Sequence, residues 1–156
     1  MTELGEIQRI AVELATLAGA EIQAALGSMM AVRYKGELAE KTLWRDPVSE
    51  VDQRIEALIR MRVAERFPNH DVIGEEMAER LGRVHDYLWT VDPIDGTTNF
   101  VNGFPMFAAS IGVLRRGEPV VGAVWCSTGH ALRPGVYHAQ AGGKLRQRLR
   151  QPLGRR

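Results

Sequence analysis

Trp89-Thr90-Val91-Asp92-Pro93-Ile94-Asp95-Gly96-Thr97-Thr98-Asn99-Phe100 decides how this chain is read. Asp86–Val91 has the character of a buried strand, which Pro93 is expected to close. Two aspartates, three residues apart, flank that proline. Gly96-Thr97-Thr98 then suits the opening of a helix. A rigid turn of this kind can aim Asp92 and Asp95 at one point, with the Ile94 carbonyl between them. Such hard oxygen donors suit Mg²⁺. The Gly96-Thr97-Thr98 amides at a helix start suit phosphate. The competing reading is an aspartate-rich turn with Thr97 or Thr98 as a helix cap.

Upstream, Asp71-Val72-Ile73-Gly74 reads as a short buried strand, with Glu75 and Glu76 just past its end. Before it, Ile55, Ile59, Val63 and Phe67 recur at four-residue steps, with Val51 and Leu58 beside them. They predict an amphipathic helix that opens at a capping box, Ser49–Asp52, and ends at Pro68. Ile7, Ile10, Ala11, Leu14, Ala18, Ile22 and Leu26 form the stripe of a first helix, with Gly27 as its stop. Ala31–Thr42 is read as extended chain or a hairpin, and Met77–Leu81 as a helical turn. Downstream, Phe107–Leu114 and Val120–Cys126 are apolar runs joined by a hairpin at Arg115–Pro119. Gly135–Ala139 reads as a further strand, turned by Gly142-Gly143. Two helices followed by neighbouring strands predict a layered mixed α/β fold.

The 156 residues are 45% hydrophobic and 25% charged, as in a compact globular domain. No apolar run is long enough to span a bilayer, and the acidic N-terminus is unlike a secretory signal. With the single Cys126 this predicts a cytoplasmic protein with no membrane partner. Cys126 is expected to be a buried, inert thiol. Six of the twenty basic residues fall in the last thirteen, so residues 1–143 carry a formal charge of −5. The tail, 144–156, is expected to be disordered. Without aromatic interleaving it is a poor candidate for binding nucleic acid. The four histidines have no ligand spacing and are assigned no role; Trp44 and Trp89 are read as packing residues.

Asp92–Phe100 resembles the signature of the inositol monophosphatase family. Gly74-Glu75-Glu76 resembles its upstream metal-binding glutamate motif, and Asp46–Gln53, with Lys41 before it, the segment earlier still. The resemblance covers residues 1–143. It implies an α/β fold, an α+β layered sandwich of αβαβα sugar-phosphatase type. It also implies Mg²⁺-dependent hydrolysis of a small phosphorylated polyol, sugar or amino alcohol by metal-activated water, with two or three ions in the complete site. Glu75, Asp92 and the Ile94 carbonyl resemble the ligands of the first ion, and Asp92 and Asp95 ligands shared with a second. Thr97 matches the residue that, with Glu75, orients the attacking water. Gly96, Thr97 and Thr98 match the phosphate cradle, Lys41 a basic residue at the mouth, and Asp52 a carboxylate that holds water at the metal. Asp52 has an equal claim as a helix-cap acid; Glu76 is read as a solvent-facing neighbour, and Lys41 has a competing reading as a surface lysine. A homodimer is a further implication.

The family's second half supplies another metal-site aspartate in a Trp-Asp-x-Ala type motif, and none of Trp44, Trp89 and Trp125 is followed by aspartate. The chain is therefore expected to hold the N-terminal half of the fold, with impaired hydrolysis. Two alternatives stand beside this reading. One is a catalytically dead fragment acting as a binding protein. The other is a histidinol-phosphate phosphatase type of member.

Overall fold

The computed structural model describes residues 2–34, 46–75, 85–127 and 133–149. Helices α1 (Glu3–Tyr34) and α2 (Asp46–Arg66) precede strands β1 (Asp71–Gly74) and β2 (Tyr87–Asp95). A short helix, α3 (Thr97–Val101), leads to β3 (Ala108–Arg115), β4 (Glu118–Cys126), β5 (Gly135–Gln140) and β6 (Arg146–Leu149). The six strands form one sheet in chain order. Among the described residues, β1 and β2 pair in parallel and the other pairs are antiparallel.

Both helical stripes lie where their periods placed them. Ile7, Ile10, Ala11, Leu14, Ala18 and Ile22 of α1 are buried, as are Val51, Ile55, Ile59 and Val63 of α2. They cover one face of the sheet, α1 against β3, β4 and β5 and α2 against β1 and β2. That face presents Trp89, Val91, Ala109, Ile111, Val113, Val121, Ala123, Trp125 and Val136 at alternate positions. Thr90, Asp92, Ser110 and Val124 point the other way and are half-buried.

Several local expectations are corrected. Helix α1 does not stop at Gly27 but runs on to Tyr34, because an αR glycine costs only about 1 kcal/mol in a helix interior. The stretch read as beginning at Ala31 is therefore helical up to Tyr34. Over Glu3–Ser28, α1 is long and apolar enough, by length and composition, to cross a membrane, although no run of the sequence suggested it. Here its apolar side forms part of the core. Helix α2 starts at Asp46, with Pro47 in the first turn where a missing N–H costs nothing, so Ser49–Asp52 lies inside the helix and is not its capping box. Strand β2 passes through Pro93 to Asp95. The tail is not disordered throughout: Arg146–Leu149 pairs with β5, Gly135 opposite Leu149 and His138 opposite Arg146. A polar, arginine-bearing strand suits an edge, where no apolar period is needed. Met77–Leu81 lies outside the described residues.

The β3–β4 hairpin turns at Arg116 (φ 52°) and Gly117 (φ 87°), the paired positive values a two-residue hairpin requires. Arg116 also donates two side-chain hydrogen bonds to the Asp86 carboxylate, at 3.2 and 2.9 Å.

Beside Trp89 an aromatic stack fixes the lower end of the sheet. The His70 ring lies 4.6 Å from Phe67 at an interplanar angle of 5°, and 4.6 Å from Tyr87 on its other side. Trp89 Nε1 donates to His70 Nδ1 at 3.0 Å, so that nitrogen must be unprotonated. Burial holds the His70 pKa below its ordinary 6.5, outweighing the nearby Glu3 carboxylate. An unfolded chain protonates His70 first as the pH falls, so this contribution to stability is intact above about pH 6.5 and is lost below it. His70→Gln keeps an acceptor for Trp89 but cannot be protonated. Between pH 7.5 and 5.5 the melting temperature of the natural chain should fall further than that of the variant. Equal falls would show that His70 does not titrate on unfolding.

Candidate active site

The site is built at the end of the parallel pair. Gly74, the last residue of β1, is in register with Val91, so Glu75 follows β1 where Asp92 continues β2. The parallel pairing brings the two motifs side by side. Asp92 pairs with Ser110, but Asp95, not Ile94, pairs with Ala108. One extra residue is thus accommodated on β2 as a bulge, which tolerates the missing N–H of Pro93. The bulge breaks the alternation: Pro93 and Ile94 are both buried, while Asp95 is exposed.

Gly96 follows with φ 85° and ψ 38°, in the left-handed region. A Cβ there would stand 3.0 Å from the Met106 carbonyl oxygen as well as being strained. This glycine reverses the chain into α3. The Thr97 hydroxyl donates to the Ile94 carbonyl at 2.9 Å, tying two of the proposed site residues together. Phe100 is fully buried and meets Phe107 edge-on at 5.5 Å. Asn99 Nδ2 donates to the Met106 carbonyl at 2.7 Å and fixes the following loop.

Asp92 is the electrostatic centre. Burial raises its pKa from 3.8 to about 6; the charges of Glu75 and Asp95 add to this, and a hydrogen bond from the Ile94 N–H opposes it. Its Oδ1 is buried with no hydrogen-bond partner. An orphaned carboxylate oxygen beside two further carboxylates has an unmet need for positive charge. The donor set of Glu75, Asp92, Asp95 and the Ile94 carbonyl is all oxygen and fits Mg²⁺. Among the described residues, no three acidic, histidine or cysteine side chains stand close enough to form a ready-made cage. Glu75 and Asp95 are exposed.

Asp52 is buried and has partners of its own, on the inward face of α2. Lys41 and Glu76 lie outside the described residues. Thr97 and Thr98 are exposed at the start of α3. An open cleft of about 340 Å³ adjoins Asp92, bounded by Gly74, Thr90, Ser110 and Gly112. Cys126 is half-buried; burial and the Asp95 charge push its thiol pKa up, as for an unreactive group.

Two features were not singled out from the sequence. Thr90 and Ser110 line the cleft, which no strand pattern distinguishes from ordinary alternation. Glu56 is completely buried, and its only signal was an acid one turn after Asp52 on the same helical face.

The family model for the inositol monophosphatase family matches residues 3–150. The match extends beyond residue 143 into strand β6. An Aquifex aeolicus fructose-1,6-bisphosphatase/inositol-1-monophosphatase is 44% identical over 93 residues, 60% of this chain and 35% of that protein. The Bacillus subtilis inositol-1-monophosphatase is 32% identical over 143 residues, 91% of this chain and 50% of that protein. Among solved structures, Mycobacterium tuberculosis SuhB superposes with a TM-score of 0.70 at 31% identity, covering 94% of this chain and 49% of that one. The inositol monophosphatase of Anabaena gives 0.72 at 29% identity, covering 94% and 48%. The chain thus spans about half the length of these structures, and half or less of these curated relatives. With three motifs in order and a match along nearly its whole length, the chain belongs to the inositol monophosphatase family.

Proposed function

We propose that this chain carries the N-terminal part of a Mg²⁺-dependent phosphomonoesterase site acting on a small phosphorylated polyol or sugar. The observation that carries this reading is the buried, partnerless Oδ1 of Asp92, with Glu75 and Asp95 close enough to raise its pKa. Glu75, Asp92, Asp95 and the Ile94 carbonyl would hold the cation. When bound, Mg²⁺ supplies charge stabilisation to a phosphoryl group and lowers the pKa of a nearby water. Glu75 is the carboxylate available to take a proton from that water, and Thr97, anchored on Ile94, would orient it. The Gly96 and Thr97 amides would receive the phosphate oxygens. Asp52 and Lys41 keep the supporting roles that the resemblance implies. The names of the relatives point to inositol monophosphate first; histidinol phosphate is the competing amino-alcohol substrate.

The experiment is phosphate release with Mg²⁺ from a panel of inositol monophosphate, histidinol phosphate and fructose 1,6-bisphosphate. It is run on the 156-residue chain and on a fusion to the C-terminal half of a relative. The fusion should turn over at least one monoester, at rates within the usual enzymatic range of about 1–10³ per second. The chain alone should be slower by a factor of about 10² or more, for want of one set of electrostatic contacts. No release from any substrate by the fusion would refute the phosphatase reading.

A further inference from the structure

Glu56 is the most deeply buried charged side chain among the described residues, with no solvent exposure, and lies one turn along α2 from Asp52. Arg60 Nε donates to Glu56 Oε1 at 2.8 Å, and Arg60 is itself only 14% exposed. The same guanidinium donates through Nη1 to the Val72 carbonyl at 2.9 Å. At Gly74 the backbone comes so close to the Glu56 carboxylate that a Cβ there would overlap it. Among the described residues, strand β1 is an edge strand of four residues whose one sheet neighbour is β2. Arg60 thus grips β1 at Val72, and Glu56 underlies it at Gly74, the residue before Glu75.

We propose that the Glu56–Arg60 pair is a positioning device that sets where Glu75 stands relative to Asp92. It rests on the cation-site reading above and adds two residues that touch neither cation nor substrate. A buried ion pair contributes little net stability once desolvation is counted, but its directed hydrogen bonds hold one geometry. A short edge strand has few other means of fixing its end. Partners that support a metal ligand in this indirect way commonly change affinity about 10–100-fold when removed.

The test is Mn²⁺ binding to the 156-residue chain, read from the free-ion electron paramagnetic resonance signal at a temperature where circular dichroism shows each variant folded. The natural chain should bind and D92N should not. E21Q, which removes the exposed Arg54–Glu21 pair on the same helix packing, should bind like the natural chain. E56Q and R60Q should each weaken binding about 10–100-fold. Should E56Q fail to fold, G74A displaces the Glu56 carboxylate while leaving Arg60 on Val72, and should weaken binding likewise. A double-mutant cycle separates positioning from general loosening. If Glu56 acts through Glu75, adding E56Q to E75Q should change affinity by less than about twofold, whereas additive losses overturn the proposal. Binding by E56Q equal to that of E21Q overturns the proposal alone. Absence of Mn²⁺ binding by the natural chain, or binding by D92N as tight as the natural chain's, overturns the cation-site reading and this proposal with it.

Discussion

Asp92→Asn is expected to make the chain more stable at pH 7 and to abolish its affinity for divalent cations. Burial, then the charges of Glu75 and Asp95, hold the Asp92 pKa at about 6 against an ordinary 3.8. A carboxyl whose folded pKa is raised favours folding fully below about pH 3.8, and that contribution is lost as the pH rises through about 6. At pH 7 the cation-free chain therefore carries an ionised group its surroundings disfavour. Raising a carboxyl from 3.8 to about 6 corresponds to about 3 kcal/mol. Asp92 is only half-buried, so solvent screening cuts this to about 1–1.5 kcal/mol. For a chain of this size that is a rise of about 2–5 °C in melting temperature. Asparagine keeps an acceptor for the Ile94 N–H but has no charge to offer, so binding of Mg²⁺ should fall by more than about 10²-fold. Thermal melts at pH 7 and at pH 4.5, paired with Mg²⁺ titration, read both effects. The stability gain should shrink at pH 4.5, where Asp92 is already protonated. A variant that melts lower at pH 7 would refute the electrostatic account of this site.

Gly19→Ala and Gly27→Ala should move stability in opposite directions although both glycines lie in α1. A Cβ on Gly19 would run into the indole ring of Trp125, whereas one on Gly27 would meet nothing within 4 Å. Trp125 is 6% exposed and packs against Phe107 at 6.2 Å, so it cannot simply turn away. In an open helical position alanine gains about 0.5–1 kcal/mol over glycine. At Gly27 that gain should appear in full. At Gly19 overpacking of about 1–3 kcal/mol should exceed it, so the helix must shift from β4 and the chain should lose up to about 2 kcal/mol. Denaturant unfolding followed by tryptophan fluorescence distinguishes the two variants. Stabilisation by Gly19→Ala would show that α1 and β4 are not in this close contact.

Sequence alone determined the features set by neighbours along the chain. The stripes from Ile7 to Ile22 and from Val51 to Val63 place two helices with their buried faces, because a 3.6-residue period is local. The order Asp-Pro-Ile-Asp-Gly-Thr-Thr marks a strand, a turn and a helix start, because proline and glycine restrict or free the backbone at their own positions. The resemblance carried by these motifs named the family.

Tertiary structure decided what depends on residues far apart in sequence. The parallel register of Gly74 with Val91 sets Glu75 beside Asp92. The bulge at Pro93 turns Asp95 outward because β3, fifteen residues on, fixes the pairing on either side of it. Strand β6 exists because β5 offers an open edge, not because Arg146–Leu149 has a strand's apolar period. The orphaned oxygen of Asp92 and the burial of Glu56 beneath Gly74 belong to this second class too. Whether a carboxylate is hydrated, paired or stranded depends on what packs around it, and the order of residues along the chain does not specify that packing.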